Sequence, residues 1–428
     1  MEEPAMKDID REQPFPADLS PWREIRRRRI AELLPEAMAL VDVDAWVVIC
    51  RENNNDPLAL HVGGENAGGM AAFLFFVSDR EVRSLVITPW SEATAIRELG
   101  LHDQVVVYER GADVYALIAQ KLNSASPRRI AINSSARAAA DGLSWTQRAA
   151  LEAALGPGLA ARLTSAEDLV VEWLSVKLPE EVEIMRRAGE LTVQLQREAY
   201  ATVIPGKTRD CDVAAYLKRR MAELGVEDGW QPDQNPNVNS GPGRGHAGPT
   251  EKVIRPGDFI QTDFGIKVYG VWCTDYQRFA YVLGPGETEP PADALRKWEN
   301  GRRGSRIALA AMRRGVRGLD VDLAQRAWMQ ETRSRPVKWG TGHPVGYWAH
   351  DVGPALSGGQ VAEPPPDTLR LLRPGQTFAY DGFFCWEVDT DEGPAERAIS
   401  VEEMAVVTAD GAEYLIPPQE DLILIASD

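Results

Sequence analysis

Four carboxylates sit where a folded chain tolerates them least. Asp263 and Asp275 close the two ends of DFGIKVYGVWCTD, Asp381 lies within TFAYDGFFCW, and Glu402 lies within AISVEEMAVVT. Each run is rich in β-branched and aromatic residues, which is a strand signal. Aspartates are common in turns, so the first pair alone would carry little. A charged acid inside an apolar strand is different, because burying it unpaired costs several kcal/mol. A fold that accepts four such runs must give the acids a common partner, and a shared cation is the simplest one.

The histidines narrow the choice. The chain has five, and three of them, His246, His343 and His350, fall in the second half beside glycine- and carboxylate-rich runs. One histidine alone would most often be structural, but three in such company point to a site. The four acids with His343, in GTGHPVGYWAH, make an oxygen-rich donor set. Such a set suits two divalent ions bridged by carboxylates. Oxygen donors favour Mn²⁺ over a thiolate-loving metal, with Zn²⁺ or Co²⁺ also able to bind.

Bulk properties set the frame. At 428 residues the chain is too long for one ordinary core, so two domains are expected. Its net charge of −17 argues against nucleic acid or an anionic membrane as partner, since both need a basic face. The cysteines Cys50, Cys211, Cys273 and Cys385 form no CxxC pair, so free thiols in a reducing compartment are expected. The opening MEEPAMKDIDREQPFPADLSPW is acidic and proline-rich, without the basic-then-apolar order of a secretory signal. No apolar run reaches the roughly 18 residues of a membrane span. A soluble cytoplasmic protein is the expectation.

Strand and helix signals alternate through the first part. AWVVIC, MAAFLFFVS, VRSLVITP, QVVVYER and RRIAINSS read as strands, with SEATAIRELG and ADVYALIAQKLN as helices between them. This predicts an α/β domain over residues 1–168. Longer helices and antiparallel-looking strand pairs then predict an α+β domain over 169–428. Its first helix opens at Pro179, followed by Glu180 and Glu181 in the first turn.

The order Asp263, Asp275, His343, acid, Glu402 resembles the pita-bread metallopeptidases, which include aminopeptidase P, prolidase and methionine aminopeptidase, with creatinase as a metal-free relative. The segments GHAGPTEKVIRPGDFIQTDFG, TDYQRFAYV, GTGHPVGYWAHD, RPGQTFAYDG and ISVEEMAVVTADG each resemble a family segment, and together they span roughly 170–428. The earlier part resembles the family only in architecture, as the N-terminal α/β domain of its two-domain members. The resemblance implies a C-terminal pita-bread catalytic domain. It implies Asp263, Asp275, His343, Asp381 and Glu402 as metal ligands, with Asp275 and Glu402 bridging. It implies His246 and His350 beside the substrate, where they orient the scissile carbonyl, stabilise charge on its oxygen or move a proton.

The implied reaction is hydrolysis of an Xaa-Pro bond, at a peptide N-terminus or in a dipeptide, by water activated between two divalent ions. Asp381 is the implied proton carrier to the prolyl nitrogen. Tyr347, Trp348 and Phe384 lie near the motifs and are candidates to line a proline pocket, with ordinary core packing as the other reading. The two-domain members also imply a homodimer. Two departures stand out. Asp381-Gly382-Phe383 replaces the family's Glu-Pro-Gly, and the two aspartates stand one residue further apart than usual. One extra residue flips the facing of an ideal strand, so a β-bulge between Gly270 and Asp275 is expected. The departures keep open a metal-free creatinase-like C–N hydrolase, and a non-catalytic pita-bread binding module is a further alternative.

Overall fold

The computed structural model describes residues 13–79, 81–241, 248–390 and 393–427. They form two compact units, one of residues 21–176 and one of residues 13–20 with 177–427. The division falls after Val176, later than residue 168. Helix Glu167–Ser175 stays with the first unit because the Arg29 guanidinium donates to the carbonyls of Trp173 (2.6 Å) and Val176 (2.8 Å). The Trp173 ring also meets that of Trp46 edge-on at 5.5 Å. These are contacts between distant segments, which local composition does not announce.

The first unit is built on a six-stranded mixed sheet. Its strands are β1 (Ala45–Cys50), β2 (Ala71–Ser78), β3 (Glu81–Pro89), β4 (Gln104–Tyr108), β5 (Ile130–Ile132) and β6 (Leu163–Ser165), in the order β4-β3-β2-β1-β5-β6. The β1–β2 and β2–β3 pairs are antiparallel neighbours, and the β1–β5, β3–β4 and β5–β6 pairs are parallel. Parallel neighbours need crossovers, and helices such as Val114–Ala125 and Trp145–Ala160 supply them. Ile118, Leu122 and Leu151 on those helices pack with Val47, Ile49 and Leu74 of the sheet.

The second unit carries β7 (Glu227–Asp228), β8 (Asn237–Ser240), β9 (Phe259–Phe264), β10 (Ile266–Val268), β11 (Trp272–Cys273) and β12 (Tyr276–Val282). After two helices come β13 (Gly342–Pro344), β14 (Thr377–Thr390), β15 (Gly393–Val407), β16 (Ala412–Tyr414) and β17 (Ile423–Ile425). Eight of these strands make one sheet in the order β13-β14-β15-β12-β9-β8, with β16 paired to β15 and β17 to β12. A small second sheet runs β11-β10-β7. Helices Pro179–Ala201, Asp210–Leu224, Ala292–Ala311 and Gly318–Glu331 complete the unit. Among the described residues, no helix is long and apolar enough to cross a membrane.

Two glycines set the geometry of the large sheet. The run DFIQTDFGIKVYG breaks at Gly265, where a Cβ would stand 2.1 Å from the Thr274 carbonyl oxygen. The backbones pass so closely there that β9 and β10 enter different sheets. Gly382 does the same under helix Ala292–Ala311, since its Cβ would fall 2.1 Å from the Gly301 carbonyl oxygen. The departure at Asp381-Gly382 is therefore a close helix–strand crossing as well as a change of acid. Gly382→Ala is expected to lose about 1–3 kcal/mol from overpacking, read as a lower urea midpoint at unchanged slope.

Candidate metal centre

A single row across the large sheet gathers the acids. Asp381 on β14 lies directly opposite Glu402 on β15, Glu402 opposite Gln277 on β12, and Gln277 opposite Asp263 on β9. Opposite residues share a face, and adjacent strands stand about 4.8 Å apart. Three carboxylates and one amide therefore line up on one surface. Asp275 stands two residues before Gln277 and joins the same face by alternation. His343 on β13 lies opposite Ala379, two residues before Asp381, and so closes the group from the other side. Its Nε2 is 3.7 Å from both Asp275 Oδ2 and Glu402 Oε1. Asp275, His343 and Glu402 each offer a ligand atom, all within 4.8 Å of one another.

The expected bulge is absent. Phe264 faces Tyr276 and Lys267 faces Cys273, so the register is the same on both sides of the break at Gly265. Gly265 and Ile266 stand against Thr274 and Asp275, two residues against two. In a hairpin, facing is set by the pairing across the turn and not by the count along one strand. A three-residue turn at 269–271, with Tyr269 at φ 55° and Gly270 at φ 66°, gives an even spacing a shared face. Asp263 and Asp275 therefore meet without an inserted residue.

The electrostatics demand a positive partner. Asp263, Asp275, Asp381 and Glu402 are all nearly buried. Burial pushes the Asp275 carboxyl well up, and Glu402, Asp263 and Asp381 add to the push. Burial, Glu402 and Asp263 raise Asp381 in the same sense. Asp381 Oδ1 is buried with no hydrogen-bond partner. Among the described residues, no lysine or arginine lines the cleft of about 830 Å³ that these side chains floor. Orphaned oxygen, clustered acids and the His343 imidazole fit divalent cations.

The other predicted site residues divide. His350 lines the cleft, exposed, with its ring 4.3 Å from that of His343. His246 lies outside the described residues. Tyr347 is buried away from the cleft, its hydroxyl donating to Glu181 Oε1 at 2.6 Å and its ring under the Lys177 ammonium. Trp348 is half-buried, edge-on to Tyr347 at 6.4 Å. Phe384 faces away from the cleft, stacked on Trp386 and beneath Arg296. Strand alternation explains this, because Asp381 and Phe383 take one face and Phe384 the other. The tryptophans that do line the cleft are Trp230 and Trp339, the latter edge-on to Phe383 at 5.7 Å.

Some participants were not expected. Gln277 touches the row on both sides and accepts from Ser400 Oγ at 2.7 Å. Its place was available from alternation, two residues after Asp275. Asp351 fixes the turn that carries His350, accepting from Lys177 Nζ (3.2 Å), Tyr347 N (2.9 Å) and Val352 N (2.8 Å). Glu181 accepts from Trp272 Nε1 (3.1 Å) as well as from Tyr347, so one buried acid ties the hairpin before Asp275 to the loop before His350. Asp322 accepts from Thr341 N and Oγ1, which pins the strand that presents His343.

Comparison with known proteins identifies the family and the fold. The profile described as Metallopeptidase family M24 matches residues 183–409, more than half of the chain. "Probable dipeptidase PepE" of Mycobacterium tuberculosis is 26% identical over 350 residues, covering 79% of this chain and 82% of the relative. The crystal structure of dipeptidase PepE from Mycobacterium ulcerans shares the fold at a TM-score of 0.69 and 20% identity, over 94% of this chain and 99% of that one. The Xaa-Pro dipeptidase from Bacillus anthracis does so at 0.65 and 19%, over 94% and 100%.

Proposed function

The chain belongs to metallopeptidase family M24, and from that premise we propose that it hydrolyses Xaa-Pro bonds in dipeptides or at the N-termini of short peptides. The observation that carries the reading is the row Asp381, Glu402, Gln277, Asp263, closed by Asp275 and His343, in a cleft lined by no lysine or arginine among the described residues. The dipeptidase name of the M. tuberculosis relative supports the short-peptide end of the range.

Asp263, Asp275, His343, Asp381 and Glu402 would hold two divalent ions, with Mn²⁺ best matched to the oxygen donors. Such ions supply a water that ionises near neutral pH and positive charge for the scissile carbonyl oxygen. The chain's own residues do the rest. Gln277 holds the middle of the row and keeps Asp263 and Glu402 at fixed separation. Asp381 Oδ1, free of hydrogen bonds, is placed to take a proton and pass it to the leaving prolyl nitrogen. His350, exposed at the mouth and braced through Asp351, is placed to donate to the oxygen that becomes negative. Trp339 offers an apolar wall of the kind a prolyl ring packs against.

Dialysis against a chelator is expected to remove Xaa-Pro hydrolysis, and Mn²⁺ to restore it, with two ions per chain by elemental analysis. Full activity in chelated protein would remove the metallopeptidase reading and leave a creatinase-like one. The homodimer expected from the two-domain relatives is tested by sedimentation at micromolar concentration.

A further inference from the structure

The row of donors crosses a seam in the large sheet. Asp263 on β9 and Asp275 just before β12 belong to one half, and Asp381 on β14, Glu402 on β15 and His343 on β13 belong to the other. Strands β9 and β12 pair along all of Phe259–Phe264, and β14 and β15 along all of Thr377–Thr390. The two halves meet between β12 and β15, where the ladder is the single pair of Gln277 with Glu402. On either side of that pair the β12 backbone finds side-chain partners instead. The Asp275 N–H is met by Met404 Sδ at 3.3 Å. The Phe279 N–H and carbonyl are both taken by the Gln419 carboxamide, at 3.0 and 2.7 Å, which stands where a strand residue would. Side chains therefore hold the seam that the donor set straddles. On the cleft face Ser400 does so through Gln277.

We propose that Arg278 and Glu403, on the opposite face, are positioning residues that keep the two halves of the donor set at the separation that binds a pair of divalent ions. Arg278 follows Gln277 and Glu403 follows Glu402, so alternation turns both away from the row. Their side chains are each 2% exposed and meet across the seam at 2.8 Å. Arg278 Nη1 also donates to the carbonyls of Glu402 (2.9 Å) and Gln277 (3.0 Å), the two residues of the single backbone pair. Glu403 Oε1 accepts from the Gln419 N–H at 2.8 Å, which ties the substitute for the missing ladder to the same ion pair. The guanidinium is held from a third side by the Tyr276 ring, 4.9 Å from its centroid. A buried ion pair gives little net stability over apolar residues of similar size, because both charges lose their hydration. What the planar guanidinium fork gives instead is fixed geometry, applied here to the backbone that carries Glu402. The inference rests on the metal-centre part of the proposed function.

The test is calorimetric titration of the chelator-treated full chain with Mn²⁺, on the wild type and three variants. Arg278→Met/Glu403→Gln removes both charges together and keeps an acceptor for Gln419, so the metal-free protein is expected to melt close to the wild type. Its weaker Mn²⁺ site is expected to bind about tenfold or more less tightly, and the spin-coupled spectrum of a Mn²⁺ pair to fade at equal metal. Arg278→Lys keeps the charge but not the planar fork, and is expected to weaken the same site by a smaller factor. Met221→Ala opens a cavity in helix Asp210–Leu224, which carries no donor, and is expected to lower the melting temperature with Mn²⁺ affinity unchanged. Wild-type affinity in the double variant overturns the proposal, as does wild-type affinity in Arg278→Lys should the double variant not fold. An equal loss of affinity in Met221→Ala also overturns it, since lost stability would then explain the effect. A wild type that takes up no Mn²⁺ removes the metallopeptidase reading and the proposal together, whereas two ions held as tightly by the variants as by the wild type remove the proposal alone.

Discussion

Glu402→Gln is expected to fold as the wild type does and to hydrolyse its peptide substrate roughly a thousandfold or more slowly. The substitution keeps shape and removes one charge from the centre of the row, where Glu402 lies between Asp381 and Gln277 and 3.7 Å from His343 Nε2. An amide there binds a divalent cation poorly, so elemental analysis is expected to show fewer than two ions. Without metal, the same variant is expected to be more stable than the wild type, because it removes repulsion that pushes both Asp275 and Asp381 upward. These opposite signs separate a lost ligand from a damaged fold. An inactive variant that still holds two ions, or one that is unstable without metal, would refute the assignment of Glu402. His350→Ala is a useful contrast, since His350 is exposed at the mouth and its loss is expected to lower turnover with both ions retained.

The acids are legible in the sequence because burial cost is a local property: an aspartate inside TFAYDGFFCW is anomalous from its immediate neighbours alone. Their grouping is legible through their order. What the sequence hides depends on pairing. A count along one strand predicts a bulge, whereas the register through Phe264–Tyr276 and Lys267–Cys273 shows that the turn sets the facing. Phe384 is near Asp381 in sequence, yet an odd number of steps along a strand reverses the face. Gln277 follows from the same alternation, counted from Asp275. The first unit's edge falls beyond 168 for a similar reason, since Arg29 and Trp46 hold Trp173 from far along the chain.

Metal-free protein is expected to lose stability as the pH rises through the weakly acidic range, and metal-loaded protein to resist that loss. Asp275 and Asp381 both titrate well above their ordinary value of 3.8 in the folded chain, through burial first and through neighbouring acids second. Between the unfolded and folded pKa values the native state binds more protons than the unfolded one, so stability falls with rising pH. The contribution is therefore fully present below about pH 4 and lost as the pH passes upward through the raised folded values. Bound cations reverse the balance by favouring the ionised acids, and ligand at a thousand times its Kd adds about 4 kcal/mol. Melting temperatures of chelated wild type and chelated Asp275→Asn, taken from about pH 4 to about pH 8, isolate the effect. The wild type is expected to fall more steeply than the variant when chelated, and to gain more from Mn²⁺ at the upper end. Parallel curves in chelated protein would mean that the row does not carry the repulsion assigned to it, and the case for a cation at Asp275 would fail with it.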